Sequence, residues 1–343
     1  MSLADRLVAR FKNNEPPVLD FISRRCLRNR LQGNGCSRCL DECPVQAISL
    51  EQGSGVRIDQ KRCVGCLACT AVCPVEALLG KDQRLSVWPA KAAGREALRL
   101  CCEKAIVSGE EIILPCLGAL AEEHLAALAA GVGAGKGVRL SLIKCGDCRA
   151  ESVREILARR LANLESRLGS GGITGAVRLL LEEEEGGELA ESASRRAFFK
   201  AFREISFHAA TETMAALQAD PTQKEQHAHK HQPGRLAQLR QAVADADDPA
   251  VRAALLRLFF TLNVSEECNF CGACAGMCPT GALKNVREDE GKRLEFAWAL
   301  CSGCGLCLEF CRKKALTLVA GRLPEALDPE KEIILQRGSE SSD

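Results

Sequence analysis

The 343-residue sequence has no tyrosine, and aromatic residues make up only 4% of it. An interior short of rings has to be built from Leu, Ala, Val and Ile. Charge of a prevailing sign is also missing: 46 basic residues face 45 acidic ones, for a formal net charge of +1. That balance excludes the broad basic surface that grips nucleic acid, and no long charge run supports electrostatic binding to a membrane. No stretch approaches the roughly 20 apolar residues needed to span a bilayer. Residues 1–12 are short and amphipathic and lack the apolar region of a signal peptide. No nucleotide fingerprint is present either. The run Gly131-Val-Gly133-Ala-Gly135-Lys136-Gly137 precedes a strand instead of following one and has no Ser or Thr after its Lys, so it reads as a turn. Together these absences predict a soluble, cytoplasmic protein of a reducing compartment, with no membrane span and no nucleic-acid partner.

Cysteine is what the chain has in excess, at 21 residues. In a small secreted protein that abundance suggests disulfides, but here the chain is long and the cysteines stand in metal-ligand spacing. Two runs are regular: Cys268-x2-Cys271-x2-Cys274-x3-Cys278 and Cys301-x2-Cys304-x2-Cys307-x3-Cys311. Each has the spacing that wraps three thiolates round one corner of an iron–sulfur cube.

The paired runs resemble those of bacterial dicluster ferredoxins. The resemblance implies two [4Fe–4S] clusters, the fourth Cys of each run crossing to the other cluster. One cluster takes Cys268, Cys271, Cys274 and Cys311, and its neighbour takes Cys301, Cys304, Cys307 and Cys278. Zinc knuckles are the plain alternative, but they present pairs of C-x2-C instead of two successive quartets. Arg312 stands where the other complete runs have Pro, and with Lys313 and Lys314 it adds positive charge near a cluster, predicting a higher potential there.

A second copy lies near the N-terminus. Cys63, Cys66, Cys69 and Cys73 are regular, whereas Cys36, Cys39 and Cys43 are preceded by Gly33 at the expected ligand position. The nearest cysteine is Cys26. The loop from Leu27 to Gly35 contains Gly33, Asn34 and Gly35, residues suited to a sharp turn, so Cys26 is expected to return beside Cys36, Cys39 and Cys73. If it does not, that site becomes a three-iron centre. The companion set is Cys43, Cys63, Cys66 and Cys69. Between the runs, apolar and polar residues alternate round a Gly turn, predicting a hairpin over 47–59.

The middle of the chain changes character. Strand-like segments at 85–88, 112–114 and 138–143 alternate with helical ones, including 94–106, and predict a parallel sheet. Cys116, Cys145 and Cys148 then fall just past strand ends, where sites of such sheets collect. Cys102 or Cys101 is the candidate fourth ligand. The order Cys101-Cys102, Pro115-Cys116-Leu-Gly118, Cys145-Gly-Asp-Cys148 is similar to the iron–sulfur delta subunit of methyl-viologen-reducing hydrogenase. That resemblance implies a [2Fe–2S] cluster and electron flow towards heterodisulfide reductase. Zinc on the same thiolates is the structural alternative.

The expected fold class is therefore α+β and α/β multidomain. Two ferredoxin-like 2[4Fe–4S] modules (26–83 and 261–322) flank a parallel α/β domain (84–181) and a small helical segment (182–260), with an N-terminal helical segment (1–25) and a tail (323–343). Helices are predicted around 18–25, 198–213, 236–243 and from an Asp248-Pro249 cap. His227, His229 and His231 read as a solvated loop.

Four cubanes and a fifth centre form a path for single electrons. The expected function is relay between redox partner proteins or subunits within a hydrogenase/heterodisulfide-reductase-like or related anaerobic oxidoreductase complex, with the α/β site bridging the two modules. An enzyme using the central thiols on a disulfide, and a scaffold with structural zinc, are the alternatives.

Overall fold

The computed structural model describes residues 18–51, 55–92, 97–106, 111–132, 137–169, 173–182, 230–288, 291–321 and 332–338. The helices expected within 1–12 and 198–213, the glycine-rich turn at 133–136, and His227 and His229 lie outside them.

Instead of the helix expected around 18–25, the chain opens with strand β1 (Leu19–Phe21) and a 3-10 turn at Ser23–Arg25. The strand exists because of a distant partner: it pairs antiparallel with β4 (Leu78–Gly80), Leu19 opposite Gly80 and Phe21 opposite Leu78. Inside this frame lie the short helices α1 (Leu27–Arg30), α2 (Arg38–Asp41) and α3 (Ala68–Val72). The predicted hairpin is present as β2 (Ile48–Glu51) and β3 (Gly55–Ile58).

The segment expected to be a strand at 85–88 is instead helix α4 (Arg84–Ala92). Asp82 starts it, accepting the Arg84 amide at 2.9 Å and pairing with the Arg84 guanidinium. The adjoining correction is the reverse: the helix expected over 94–106 contains strand β5 (Leu98–Cys102). β5 sits inside a four-stranded parallel sheet with β6 (Ile112–Leu114), β7 (Val138–Ser141) and β8 (Val177–Leu180), in the order β6-β5-β7-β8. A central parallel strand is covered on both faces and loses the alternation that marks a strand, which is why its apolar run read as helical.

Helices α5 (Glu122–Val132) and α6 (Val153–Leu168) bury Leu125, Leu128 and Ala129 from one, and Val153, Ile156, Leu157 and Leu164 from the other. Next come α7 (Gly234–Asp245) and α8 (Pro249–Leu256). The Asp248 carboxylate accepts the Ala250 amide at 2.8 Å, so the predicted cap is in place.

The second ferredoxin-like unit repeats the first. Its frame is β9 (Phe260–Val264) against β12 (Leu316–Ala320), and its inner ribbon is β10 (Leu283–Glu288) against β11 (Gly291–Phe296). Its helices are α9 (Ala273–Met277) and α10 (Leu306–Phe310). Strand β13 (Glu332–Gly338), near the C-terminus, joins β11 as a third strand. One contiguous apolar core runs from the parallel sheet through α7 and α8 into this unit.

Arg160 of α6 ties the parallel-sheet unit to the first ferredoxin-like unit. It is 4% exposed. Its guanidinium donates to Gly118 O (2.8 Å), Leu120 O (2.7 Å), Ala68 O (3.2 Å) and Glu42 Oε1 (2.6 Å). Gly118 matters to the same contact, because a β-carbon there would stand 2.2 Å from the Cys66 carbonyl oxygen. Removing one partner of a buried pair leaves the other charge uncompensated. Arg160→Met is therefore expected to cost about 3 kcal/mol, read as a lower denaturation midpoint at unchanged iron content.

Half-buried His124 of α5 accepts the Ala121 amide on Nδ1 at 3.1 Å and sits edge-on to Trp88. Burial pushes it down to about 4; the Glu123 carboxylate opposes that shift and the Arg235 guanidinium reinforces it. A depressed folded-state value means stability that is present above the ordinary range near 6.5 and lost as pH falls towards 4. Between pH 7 and pH 5 the native protein should therefore lose on the order of 1 kcal/mol more stability than His124→Asn, measured by thermal unfolding across that range.

Candidate iron–sulfur centres

Each regular cysteine run turns twice through the left-handed region before its short helix. The pairs are Gly65 and Leu67 (φ 69° and 59°), Phe270 and Gly272 (54° and 77°), and Gly303 and Gly305 (63° and 76°). These turns fold the loop so that successive thiols point inward. In the irregular run Ser37 occupies the place of Leu67, Gly272 and Gly305, and its φ is −127°. The missing wrap coincides with the missing cysteine.

A second regularity follows the last Cys of every run. Gln46, Glu76, Gly281 and Lys314, three residues on, all have positive φ (51°, 47°, 76° and 51°), and each is followed by a buried alanine. The amides of Ala47 and Ala77 donate to the Cys43 and Cys73 sulfurs at 3.2 Å. The Cys-x3-Ala spacing recurs four times in the sequence and is the signal for this turn. Arg312 stands where Pro279 does in the sister run, and the turn survives the exchange.

The thiols gather as follows. Cys26, Cys36, Cys39 and Cys73 line one cavity with Phe21, Leu27, Val56, Val75 and Leu78. Cys26 reaches it as the residue that opens α1, and the return is made by that helical turn followed by the expected turn at Gly33, whose φ is 84°. Buried Asn34 holds the far end of that loop, accepting the Cys36 amide at 3.1 Å and donating to Glu309 of the second unit at 2.8 Å. Cys43, Cys63, Cys66 and Cys69 feel one another's charge in the same way. Cys278, Cys301, Cys304 and Cys307 line a cavity with Leu262, Leu283, Phe296 and Leu318. Cys268, Cys271, Cys274 and Cys311 line another, of about 450 Å³, with Phe270, Leu294, Phe310 and Leu316.

Burial raises several of these thiols, and neighbouring cysteines raise them further. Cys39 and Cys301 are pushed up to about 12, Cys274 and Cys304 to about 11, and Cys69 and Cys307 also upward. Such thiols become thiolates at neutral pH only opposite a compensating positive charge, which metal ligation supplies. Among the described residues no group of three or more His, Cys, Asp or Glu side chains is gathered tightly enough to hold a single metal ion. Thiolates round one zinc stand ~3.8 Å apart by its bond lengths, whereas a cubane spreads its four ligands over four irons. All-sulfur sets in apolar cavities, with amides aimed at sulfur, fit the wider group.

In the parallel-sheet unit the strand geometry separates the two adjacent cysteines. Cys101, with 0% exposure, faces the side of Glu111, and burial pushes it up to about 12. Cys102 lies on the other face and shares its surroundings with Cys116 and Cys145. Burial first, then Cys66, Cys145 and Cys102, push Cys116 up to about 12. Cys148 receives a hydrogen bond from Lys104 Nζ at 3.7 Å.

The sets also adjoin one another. Cys69 meets Cys39 within the first unit, and Cys307 meets Cys274 within the second. Between units, Cys26, Cys73, Met277 and Leu306 share one apolar cluster, with Cys36, Cys304 and Phe310 packed against it. Cys116 stands beside Cys66. The arrangement expected from sequence, in which the α/β thiols bridge the two units, is thus corrected: the units touch directly, and those thiols lie at the Cys66 side. His231, expected in a solvated loop, instead pairs with Glu76 at 2.9 Å. Burial opposes ionisation of that carboxyl, but His231, Arg235 and the Gly234 amide outweigh it and hold Glu76 below the usual range.

Comparison with known proteins agrees with the two cysteine-rich units. A 4Fe–4S dicluster domain matches residues 34–77, and 4Fe–4S binding domains match 264–284 and 301–315. The ferredoxin-like protein YdhY of Escherichia coli is 47% identical over 38 residues, covering 11% of this chain and 18% of YdhY. A ferredoxin of Saccharopolyspora erythraea is 44% identical over 52 residues, covering 15% of this chain and 48% of the ferredoxin. Pyruvate synthase subunit PorD of Methanocaldococcus jannaschii is 34% identical over 63 residues, covering 18% of this chain and 70% of PorD. Among the described residues no helix is long and apolar enough to cross a membrane. With its paired cysteine runs, the turns that wrap them and these matches, the chain belongs to the 4Fe–4S ferredoxin-like proteins and carries their iron–sulfur, electron-transferring modules at both ends.

Proposed function

We propose that the chain relays single electrons between redox partner subunits through four [4Fe–4S] clusters and a fifth, [2Fe–2S] centre on Cys102, Cys116, Cys145 and Cys148. The observation that carries this reading is the junction where Cys26 and Cys73 meet Met277, Leu306 and Cys304, because it makes one continuous path of two modules. The order of sites is then linear. It runs from the α/β thiols through the Cys43/Cys63/Cys66/Cys69 set and the Cys26/Cys36/Cys39/Cys73 set, then through the Cys278/Cys301/Cys304/Cys307 set to the Cys268/Cys271/Cys274/Cys311 set. Cys271 is the one exposed cysteine among the described residues, which suits the far end as a point of exchange with a partner. The similarity to PorD, itself a subunit of pyruvate synthase, supports work inside an oxidoreductase complex. The likeness of the central cysteines to a hydrogenase delta subunit favours one of the heterodisulfide-reductase kind.

The clusters would supply one-electron chemistry, and the chain's own residues do the rest. The thiolates hold the irons, the Ala47 and Ala77 amides stabilise charge on sulfur, and the apolar linings exclude water. Metal analysis of anaerobically purified protein tests the count. About eighteen irons without zinc is expected, whereas about sixteen with one zinc would convert the central site to a structural one.

Ligand variants test the assignments. Cys26→Ala should alter the EPR signal of a single cluster and lower the iron content, and an unchanged spectrum would remove Cys26 from the ligand set. Cys102→Ala should deplete the central metal. Cys101→Ala, on the opposite face, should leave metal content at the native level.

A further inference from the structure

Arg30 closes α1 in the first ferredoxin module and is 4% exposed. The thiols whose charge it meets nevertheless belong to the second module: Cys278 and Cys304. Its Nη1 donates to Arg24 O at 3.4 Å, which fixes the guanidinium from its own side of the junction. Two more cations reach the backbone of the runs that carry these two thiols. Arg38 donates to Gly303 O at 3.1 Å, and Lys230 Nζ donates to Gly276 O and Cys278 O at 2.8 Å each. Arg38 and Lys230 are exposed, as are Arg312, Lys313 and Lys314 beside Cys311. Solvent and salt screen such charges. Arg30 is shielded from both.

Neighbouring Arg25 offers a comparison. It meets Cys73 of the adjoining set, but also Glu76, whose carboxylate offsets its charge and whose carbonyl oxygen it binds at 3.2 Å. An arginine of the first module therefore stands near a cysteine set on each side of the junction.

One-electron reduction adds a negative charge to a thiolate-bound cluster, the electron coming from an external one-electron donor, and a buried cation nearby favours that more negative state. We propose, building on the relay function above, that Arg30 raises the reduction potential of the cluster on Cys278, Cys301, Cys304 and Cys307. That cluster then holds an electron more tightly than it would without the docked first module. Arg30 acts as a positioning charge supplied across the module boundary, so this potential depends on the two modules being docked.

The test is an EPR-monitored redox titration of the full, anaerobically purified chain. The signal to follow is the one that Cys278→Ser changes. Arg30→Met is expected to lower the equilibrium constant for reducing that cluster about tenfold, which for a one-electron couple is about 59 mV. Arg30→Lys, which keeps the charge, should retain most of the native value, and all three proteins should carry equal iron. Unchanged potentials in Arg30→Met at equal iron content overturn the proposal, and so does an Arg30→Lys shift as large as that of Arg30→Met, since packing would then be responsible. If Arg30→Met fails to load iron, pulsed EPR of the Arg38→Met protein carrying guanidino-¹⁵N arginine decides the matter. Coupling of ¹⁵N to the Cys278-dependent signal supports the assignment, and its absence overturns it. A native protein that binds no cluster would instead sink the relay function itself, a result distinct from any of these.

Discussion

A thiolate cannot be buried in an aliphatic interior without a positive charge to face it, and the whole structure is arranged round that constraint. Sixteen of the 21 cysteines stand in the four runs and Cys26, and burial lifts many of them far above the range in which a thiol ionises in water. Iron resolves the conflict. The helices that carry these residues are four or five residues long, too short to be stable by themselves. Their order comes from the ligands they hold and from the strand frames β1–β4 and β9–β12 that close over them.

What could be read from sequence followed the range of the physical cause. The ligand spacing, the β2–β3 hairpin and the Asp248 cap all arise from residues close together in the chain. The errors arose where a remote partner decides. β1 is a strand because of β4, and β5 lost its alternation because a central parallel strand is covered on both faces. The side of Cys102 became readable only after β5 was known to be a strand, since a helix would have placed it differently relative to Cys101. The Cys26 return and its turn at Gly33 were expected, but the short helix α1 that fills the first half of the gap was not. The meeting of the two modules at Met277 and Leu306 left no mark in either copy that a single sequence discloses.

The two modules repeat one design with different surroundings. Leu67 adopts the backbone form that Gly272 and Gly305 adopt in the second unit. A branched residue in that region carries strain, and Leu67 compensates by being 2% exposed in the apolar cluster with Leu19, Ile48 and Leu78. In the second unit Gly272 relaxes that position, while buried Phe270 takes the left-handed form that Gly65 takes in the first. One copy is locked by packing against its own frame, and the other is supported by a third strand from the end of the chain.

That third strand has a practical meaning for handling the protein. β13 occupies the side of β11 that β10 leaves free, with Lys292 opposite Arg337 and Leu294 opposite Leu335. Without it, the unpaired amides and carbonyls of β11 would offer a template for strands of other molecules. A proteolytic nick or a shortened expression boundary before residue 332 would thus turn a monomer-compatible surface into a sticky one. Aggregation of such a fragment would report on the missing strand while leaving every cysteine in place.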